Sequence, residues 1–533
     1  MKKSDYRYNI VYILVLVIYI VLTVVMATKH EAWFDEIQAW NISRDLSPEK
    51  IVEMMKYEGH SSLWHFILYP FSHAGLPFET IGFISVFFMS LAVFLLLFKS
   101  PFPPYLKLFI IFSSGFIYVN VTVARVYCII PLILFLIAII YPDRFEKPIT
   151  YGILIALLCN THAMMCGVVG ILGIYAIVDL FDSIKRKSSY KKQLTGILIM
   201  GIGVIVFFLQ IKESVFSNEA ALSKEYNFKD IVLNCMNFMQ LTYNLFEFKL
   251  FVNTEDGIMP NSVVIVEMLL YLIAIVSFFI TIFLVRKYKR IVVMILFSML
   301  FEIFVNCALW AYNPNRANIS LLTVIFFLWI AFNQQKNEDE NLKFEKILLN
   351  FKILKHLTCL DKYNKQVISC IISLICILTI PTSVYYIYND FKYQFTGSKK
   401  MTDYIESNLP VNSDLLTMYG ACYVVSAYNP DIKLFNLHRE EYQTFSYHNG
   451  YDFDIEEFKD SFFDKIAENF PDKSKVYYMT VIINKNIIPE NDSRIKKIYE
   501  TDYSIKFPNA DNRYCYVLFE IYPDEIQKCN DKK

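Results

Sequence analysis

The chain has 533 residues, 55% of them hydrophobic and 19% charged, with 46 Phe and 37 Tyr. Lys+Arg and Asp+Glu both number 51, so the formal net charge is zero, which excludes a nucleic-acid binder working by bulk charge and an acidic disordered tail. Fifteen Gly and 18 Pro exclude collagen-like and low-complexity chains, and eleven Cys without CxxC spacing speak against a disulfide scaffold or a zinc ribbon.

The charge is unevenly placed. Residues 391–533 carry 41 charged side chains in 143, against 61 in the preceding 390. A membrane region followed by a water-soluble domain accounts for that step. A helix needs about 20 apolar residues to cross a hydrocarbon core. Eleven runs qualify as predicted spans: 10–27, 79–98, 105–122, 125–141, 148–163, 165–181, 194–212, 262–285, 291–311, 317–333 and 366–388. The first has a longer apolar core than a signal peptide and no A-x-A site after it, so it is expected to stay as an anchor. The stretch 61–76 is a shorter apolar run, broken by His65, Pro70 and His73. The region 390–533 alternates strand-like runs at 415–419, 476–483 and 514–521 with helix-like stretches at 399–408 and 454–468, which predicts a small α/β domain.

Basic residues near the spans set orientation. They gather at Lys2, Lys3 and Arg7, at 185–192, at 286–290 and in 334–365, which holds seven Lys. All four fall on the cytoplasmic side if 61–76 is an interfacial or re-entrant helix within one external segment, 28–78. The domain organisation is then a polytopic all-α membrane domain over 1–389, with external loops 28–78 and 213–261, and an extracytoplasmic α/β domain over 390–533. The loop 213–261 is long enough to act as a lid. The predicted location is the inner (plasma) membrane, with a cytoplasmic N-terminus.

That topology collects polar residues on the outer side. The first loop supplies Trp33-Phe34-Asp35-Glu36, then Glu58, His60 and His65; later turns supply Arg125 and Tyr127, Asn160 and His162, and Tyr312 to Asn318 with Arg316. Each taken singly reads more simply as a helix-end residue in headgroups, and Trp33, Trp40 and Trp64 as an interfacial aromatic belt. Together they point to a site. A carboxylate pair suits general-base work on a hydroxyl or amine. Arginines far apart in sequence but on one membrane face suit a phosphate anion. A sugar linked to a lipid phosphate meets both needs, with Arg stabilising the phosphate as it leaves. Glu302 lies near the middle of its predicted span, and Glu267 lies within another. Such an acid either lines a cavity or is hydrogen-bonded to a neighbouring helix.

The pattern resembles the GT-C superfamily of polytopic glycosyltransferases, in the branch of protein O-mannosyltransferases and lipid A aminoarabinose transferases. The resemblance rests on Trp33-Phe34-Asp35-Glu36 after the first span, and on Gly59-His60-Ser61-Ser62-Leu63-Trp64-His65. In the latter, serines stand where the family's His-Pro-Pro-Leu motif has prolines. It rests further on Ala124-Arg125-Val126-Tyr127, and on Arg316 after Tyr312. It implies about eleven transmembrane helices of GT-C type and a polyprenyl-phosphate sugar donor. The acceptor would be a cell-envelope lipid, glycan or protein. Asp35 would deprotonate the acceptor for inverting attack, with Glu36 assisting in the pocket. Arg125 and Arg316 would hold the phosphate. His60, His65, Tyr127, His162 and Glu302 complete the substrate-binding candidates. The family varies in metal use, so no resident cofactor is required; a divalent cation, if used, would take Asp35, Glu36, His60 and His162. The expected partners are the donor, the acceptor and membrane lipids, with no nucleic acid. Three alternatives stand beside this reading: a transporter or lipid flippase, a ligase drawing on a diphosphate-linked glycan, and a sensor or scaffold working through its external domain.

Overall fold

The computed structural model describes residues 3–31, 33–56, 58, 60–217, 261–305, 314–334, 362–393, 396–418, 420–447, 455–481, 494–501, 515–523 and 526. The predicted lid therefore lies almost wholly outside the described residues, as does the lysine-rich stretch 335–361. In chain order the main helices are α1 (Lys3–Lys29), α2 (Phe34–Asp45), α3 (Pro48–Met54), α4 (Leu63–His73), α5 (Thr80–Lys99), α6 (Pro104–Ile111), α7 (Ile130–Ile140), α8 (Pro148–Cys159), α9 (Cys166–Lys185), α10 (Lys191–Ser217), α11 (Asn261–Leu284), α12 (Lys289–Phe304), α13 (Pro314–Asn333), α14 (Asn364–Lys392), α15 (Ser398–Asn408) and α16 (Ile455–Asn469). The chain divides into two compact units. One comprises Met1–Val25, Gly59–Leu63 and Ile84–Tyr385; the other comprises Met26–Glu58, Trp64–Phe83 and Tyr386–Lys533.

The first unit is helical and apolar. Among the described residues, six helical segments of the chain are long and apolar enough to cross a membrane: Asn9–Lys29, Thr80–Lys99, Val126–Asp143, Ala163–Lys185, Lys191–Glu213 and Asn364–Lys392. The protein is membrane-embedded. The predicted spans at 148–163, 262–285 and 317–333 correspond to shorter apolar helices. Phe135, Phe326, Phe327 and Trp329 fill the interior, with Trp329 packed at 5.0 Å on the Phe135 ring. The helices α8 and α10 approach backbone to backbone, because Gly152 and Gly196 meet on one seam and Gly203 faces Ala156. Small residues are what permit that closeness.

The predicted span 105–122 is not one helix. After α6 the backbone turns at 112–114, forms a single π-helical turn (Gly115–Val119), and stays irregular to a 3₁₀ turn at Val126–Cys128. The sequence explains the break, since Ser113, Ser114 and Gly115 are followed by the β-branched Val119, Val121, Thr122 and Val123. Irregular backbone in an apolar interior needs side-chain partners. Tyr19 Oη donates to the Phe116 carbonyl at 2.8 Å, Ser85 Oγ to the Val121 carbonyl at 2.8 Å, and the Ser114 N–H donates to Thr379 Oγ1 at 3.0 Å.

The second unit carries the sheet. Its strands are β1 (Leu415–Thr417), β2 (Leu434–Asn436), β3 (Glu441–Gln443), β4 (Val476–Val481), β5 (Ile495–Glu500) and β6 (Tyr516–Ile521), in spatial order β3-β2-β1-β4-β6-β5. The centre is parallel, β1 lying between β2 and β4, and both edges are antiparallel. Phe462 and Ile466 of α16 bury against Leu416, Tyr478 and Val517. A second small core joins Ile42, Ile51, Met54 and Met55 to Phe445, with Tyr447 packed beside it. Phe445 and Tyr447 thus belong to core packing, while Tyr442 is 49% exposed. Trp40 and Trp64, expected in an interfacial belt, are both about 1% exposed; Trp40 meets Phe78 edge-on inside this unit.

Candidate functional site

In the second unit the Asp-Glu pair opens α2. Asp35 and Glu36 occupy its first turn, where backbone N–H groups lack helical partners and the dipole favours negative charge. Glu36 Oε2 accepts the Trp33 N–H at 2.8 Å, which fixes the start of the helix. The same oxygen lies 3.3 Å from His30 Nε2, while His30 Nδ1 lies 3.2 Å from Asp390 Oδ2. All three side chains are at most 4% exposed. An imidazole can donate from both nitrogens only as the cation. Burial alone pulls the His30 imidazolium down, but the charges of Asp390 and Glu36, and their hydrogen bonds, override it and lift His30 to about 10. Burial also raises the Glu31 carboxyl to about 7, against the Thr396 backbone, His30, Lys400 and Lys399. Glu36 is therefore the anchored member of the pair, and Asp35 the half-buried one.

The rest of α2 is bound to the C-terminal segment of the same unit. Gln38 Nε2 donates to the Ser446 carbonyl at 2.5 Å and Gln38 Oε1 accepts the Ser446 N–H at 2.9 Å. Asn41 Nδ2 donates to the Thr444 carbonyl at 2.8 Å, and Arg44 to the Ser426 carbonyl at 2.7 Å. His65, on α4, is buried in this unit, 1% exposed.

In the first unit the broken segment delivers Arg125 and Tyr127 beside His162. The Arg125 guanidinium lies 5.6 Å from the Tyr127 ring centre, and Tyr127 Oη is 3.2 Å from His162 Nε2. His162 Nδ1 accepts the Met164 N–H at 3.2 Å, so that nitrogen carries no proton. His162 is then the neutral tautomer protonated at Nε2, which donates to Tyr127. Tyr127 is left with its own proton to donate. The segment 60–62 joins this group: Ser61 Oγ donates to the Asn160 carbonyl, Asn160 Nδ2 donates to the Gly203 carbonyl at 3.0 Å, and the Ser62 N–H donates to Gln210 Oε1 at 2.9 Å. Proline at 61 and 62 would make neither of the serine bonds. His60 Nδ1 donates to the Ser61 carbonyl at 3.2 Å.

Glu302 is fully buried in the first unit. It accepts hydrogen bonds from Ser320 at 2.5 Å and Thr323 at 2.8 Å, one helix away. The backbone of Arg316 lies in α13, but its side chain, that of Glu267, and all of Tyr312 lie outside the described residues. Among the described residues no group of three or more His, Cys, Asp or Glu has a cation-holding arrangement. His162 spends Nδ1 on the Met164 N–H and Nε2 on Tyr127, which fits a hydrogen-bonding role better than ligation.

Sequence reasoning missed His30 and Asp390. Their only signal was position: each is an ionisable residue at the end of a long apolar run. No protein-family model matches the chain, and no curated protein matches it.

Proposed function

We propose that the protein is a membrane glycosyltransferase of GT-C type that moves a sugar from a polyprenyl-phosphate donor to an acceptor outside the cytoplasm. In this reading the membrane is the inner (plasma) membrane, eleven spans cross it, and the C-terminal domain is extracytoplasmic. The observation that carries the reading is the unequal standing of the two carboxylates. Glu36 is buried and held by His30 and the Trp33 N–H at the start of α2, and Asp35, half-buried at the second position of the same helix, is the group assigned to take a proton. Asp35 deprotonates the acceptor, the acceptor attacks the anomeric carbon with inversion, and the lipid phosphate leaves. Arg125 and Arg316 bind that phosphate, and Tyr127, set by His162, donates to it.

The test is mass spectrometry of polyprenyl-phosphate sugars and surface glycans in cells carrying the native gene or Asp35→Asn. A general base contributes roughly 10²–10⁴-fold, so one lipid-linked sugar is expected to accumulate while one surface glycan loses that sugar. Unchanged pools with normal protein levels defeat the proposal.

A transporter is the second reading, favoured by the broken segment between α6 and α7, since interrupted helices line many substrate paths. It predicts that Asp35→Asn leaves both pools unchanged while gene deletion alters the distribution of another solute or lipid.

A further inference from the structure

The helices α7 to α10 have a second polar cluster, at the ends opposite the Arg125–His162 turn. Asp179, 7% exposed, accepts from two arginines there: Arg144 Nε at 2.9 Å and Arg290 at 2.6 Å. Arg144 also donates to the Tyr141 carbonyl at 3.1 Å and lies over the Tyr141 and Phe145 rings at 4.4 and 4.3 Å. Two guanidinium groups on one carboxylate leave a surplus positive charge beside a small open cleft that Arg144 and Asp179 line. Phe145, Pro148, Ile197 and Met200 give that cleft an apolar wall. Gln193 lines it too, and its Oε1 is buried with no hydrogen-bond partner among the described residues. A buried acceptor left unmade is costly, which marks the place for a donor.

We propose that this cleft holds a phospholipid headgroup, a phosphodiester whose terminal group carries a hydrogen-bond donor. The phosphate meets the Arg144 guanidinium that lines the cleft, while Arg290 offsets the Asp179 carboxylate beside it. The terminal ammonium or hydroxyl donates to Gln193 Oε1. The glycerol and upper acyl carbons run along the apolar wall. The cleft is small and open to its surroundings, which suits contact with a headgroup whose tails remain in the bilayer and not enclosure of a whole ligand. The basic loops at 185–192 and 286–290 adjoin the same helix ends and add attraction for anionic lipid. This site is independent of the transferase reading.

The test uses the full-length protein, delipidated in detergent and titrated by native mass spectrometry. The probes are phosphatidylglycerol, phosphatidylethanolamine, phosphatidylcholine and soluble glycerol phosphate. Phosphatidylcholine has the phosphodiester but no terminal donor, so it is expected to bind roughly tenfold more weakly than the first two. Gln193→Leu, which touches no ion pair, is expected to bring phosphatidylglycerol and phosphatidylethanolamine down to the phosphatidylcholine level. Arg144→Gln is expected to weaken all three lipids. Equal binding of the three lipids to the native protein overturns the proposal, as does a Gln193→Leu pattern identical to native. Glycerol phosphate binding as tightly as the lipids replaces a lipid site with a soluble-phosphate site and likewise overturns it. If Arg144→Gln does not fold, the Gln193 variant alone decides.

Discussion

Glu36 and Glu302 are both buried glutamates, yet the two units satisfy them by opposite means. Glu36 faces an imidazolium that it shares with Asp390. Glu302 receives the hydroxyls of Ser320 and Thr323, both on one neighbouring helix. Hydroxyl donors fasten two helices without bringing a second charge into an apolar interior. An ion network fastens two stretches 360 residues apart, but its strength then depends on pH. Charge holds the start of α2, and neutral donors hold Glu302.

The largest effect expected from breaking this contrast is at His30. His30→Ala leaves Glu36 and Asp390 buried without their shared cation, which costs about 3–5 kcal/mol. Hydrogen exchange should show faster opening of α2 and the residues around Asp390 and little change in α7 to α9. A uniform loss of protection, or none, breaks the contrast.

The next effect is in pH dependence. His30 titrates at about 10 in the folded chain against 6.5 for the free group. Below 6.5 the imidazole is charged in both states and the network contributes fully. Stability is lost as pH rises from 6.5 through 10, by on the order of a few kcal/mol. His30→Gln should flatten that slope. Glu31 acts in a lower window, because its carboxyl titrates at about 7 when folded against 4.5 when free. The folded chain holds that proton more tightly, so stability falls as pH rises from 4.5 to 7, and Glu31→Gln should remove this step alone. Thermal unfolding of both variants from pH 4.5 to 10 separates the windows; a single unaltered curve refutes both assignments.

The smallest stability effect is at Glu302. Glu302→Gln keeps an acceptor for one of the two hydroxyls and should cost only about 1 kcal/mol. If Glu302 lines the lipid or acceptor cavity, turnover falls although the protein folds. Full activity in a well-folded variant removes it from the site.

Much of the architecture was legible in the sequence because long apolar runs and alternating strands are local signals. Each of the six long helical segments overlaps a predicted span, and β1, β4, β6, α15 and α16 lie where 415–419, 476–483, 514–521, 399–408 and 454–468 placed them. The strands β2 and β3 are three residues each, too short for a period to emerge. β5 reads Ile495-Lys496-Lys497-Ile498-Tyr499-Glu500, a charged edge strand whose pairing with β6 shifts at Lys497/Tyr499. The break at 112–128 was hidden because hydropathy is blind to backbone direction, and its partners Tyr19, Ser85 and Thr379 come from three distant helices. Of the candidate site, Asp35, Glu36, Arg125, Tyr127 and His162 stood out by residue type and place. The ion network that holds Glu36 did not, because it depends on Asp390, 360 residues from His30.

The bonds that hold α2 carry a consequence for biogenesis. Gln38 and Asn41 reach partners 408 and 403 residues later in the chain. While the chain is being made, α2 leaves the ribosome long before Thr444 and Ser446 exist. Its polar face lacks these partners until residues 444–446 have been translated. α2 therefore reaches its final seat only after the chain as far as Ser446 has been synthesised. A chain terminated before residue 444 leaves α2 without the Thr444 and Ser446 bonds that seat it.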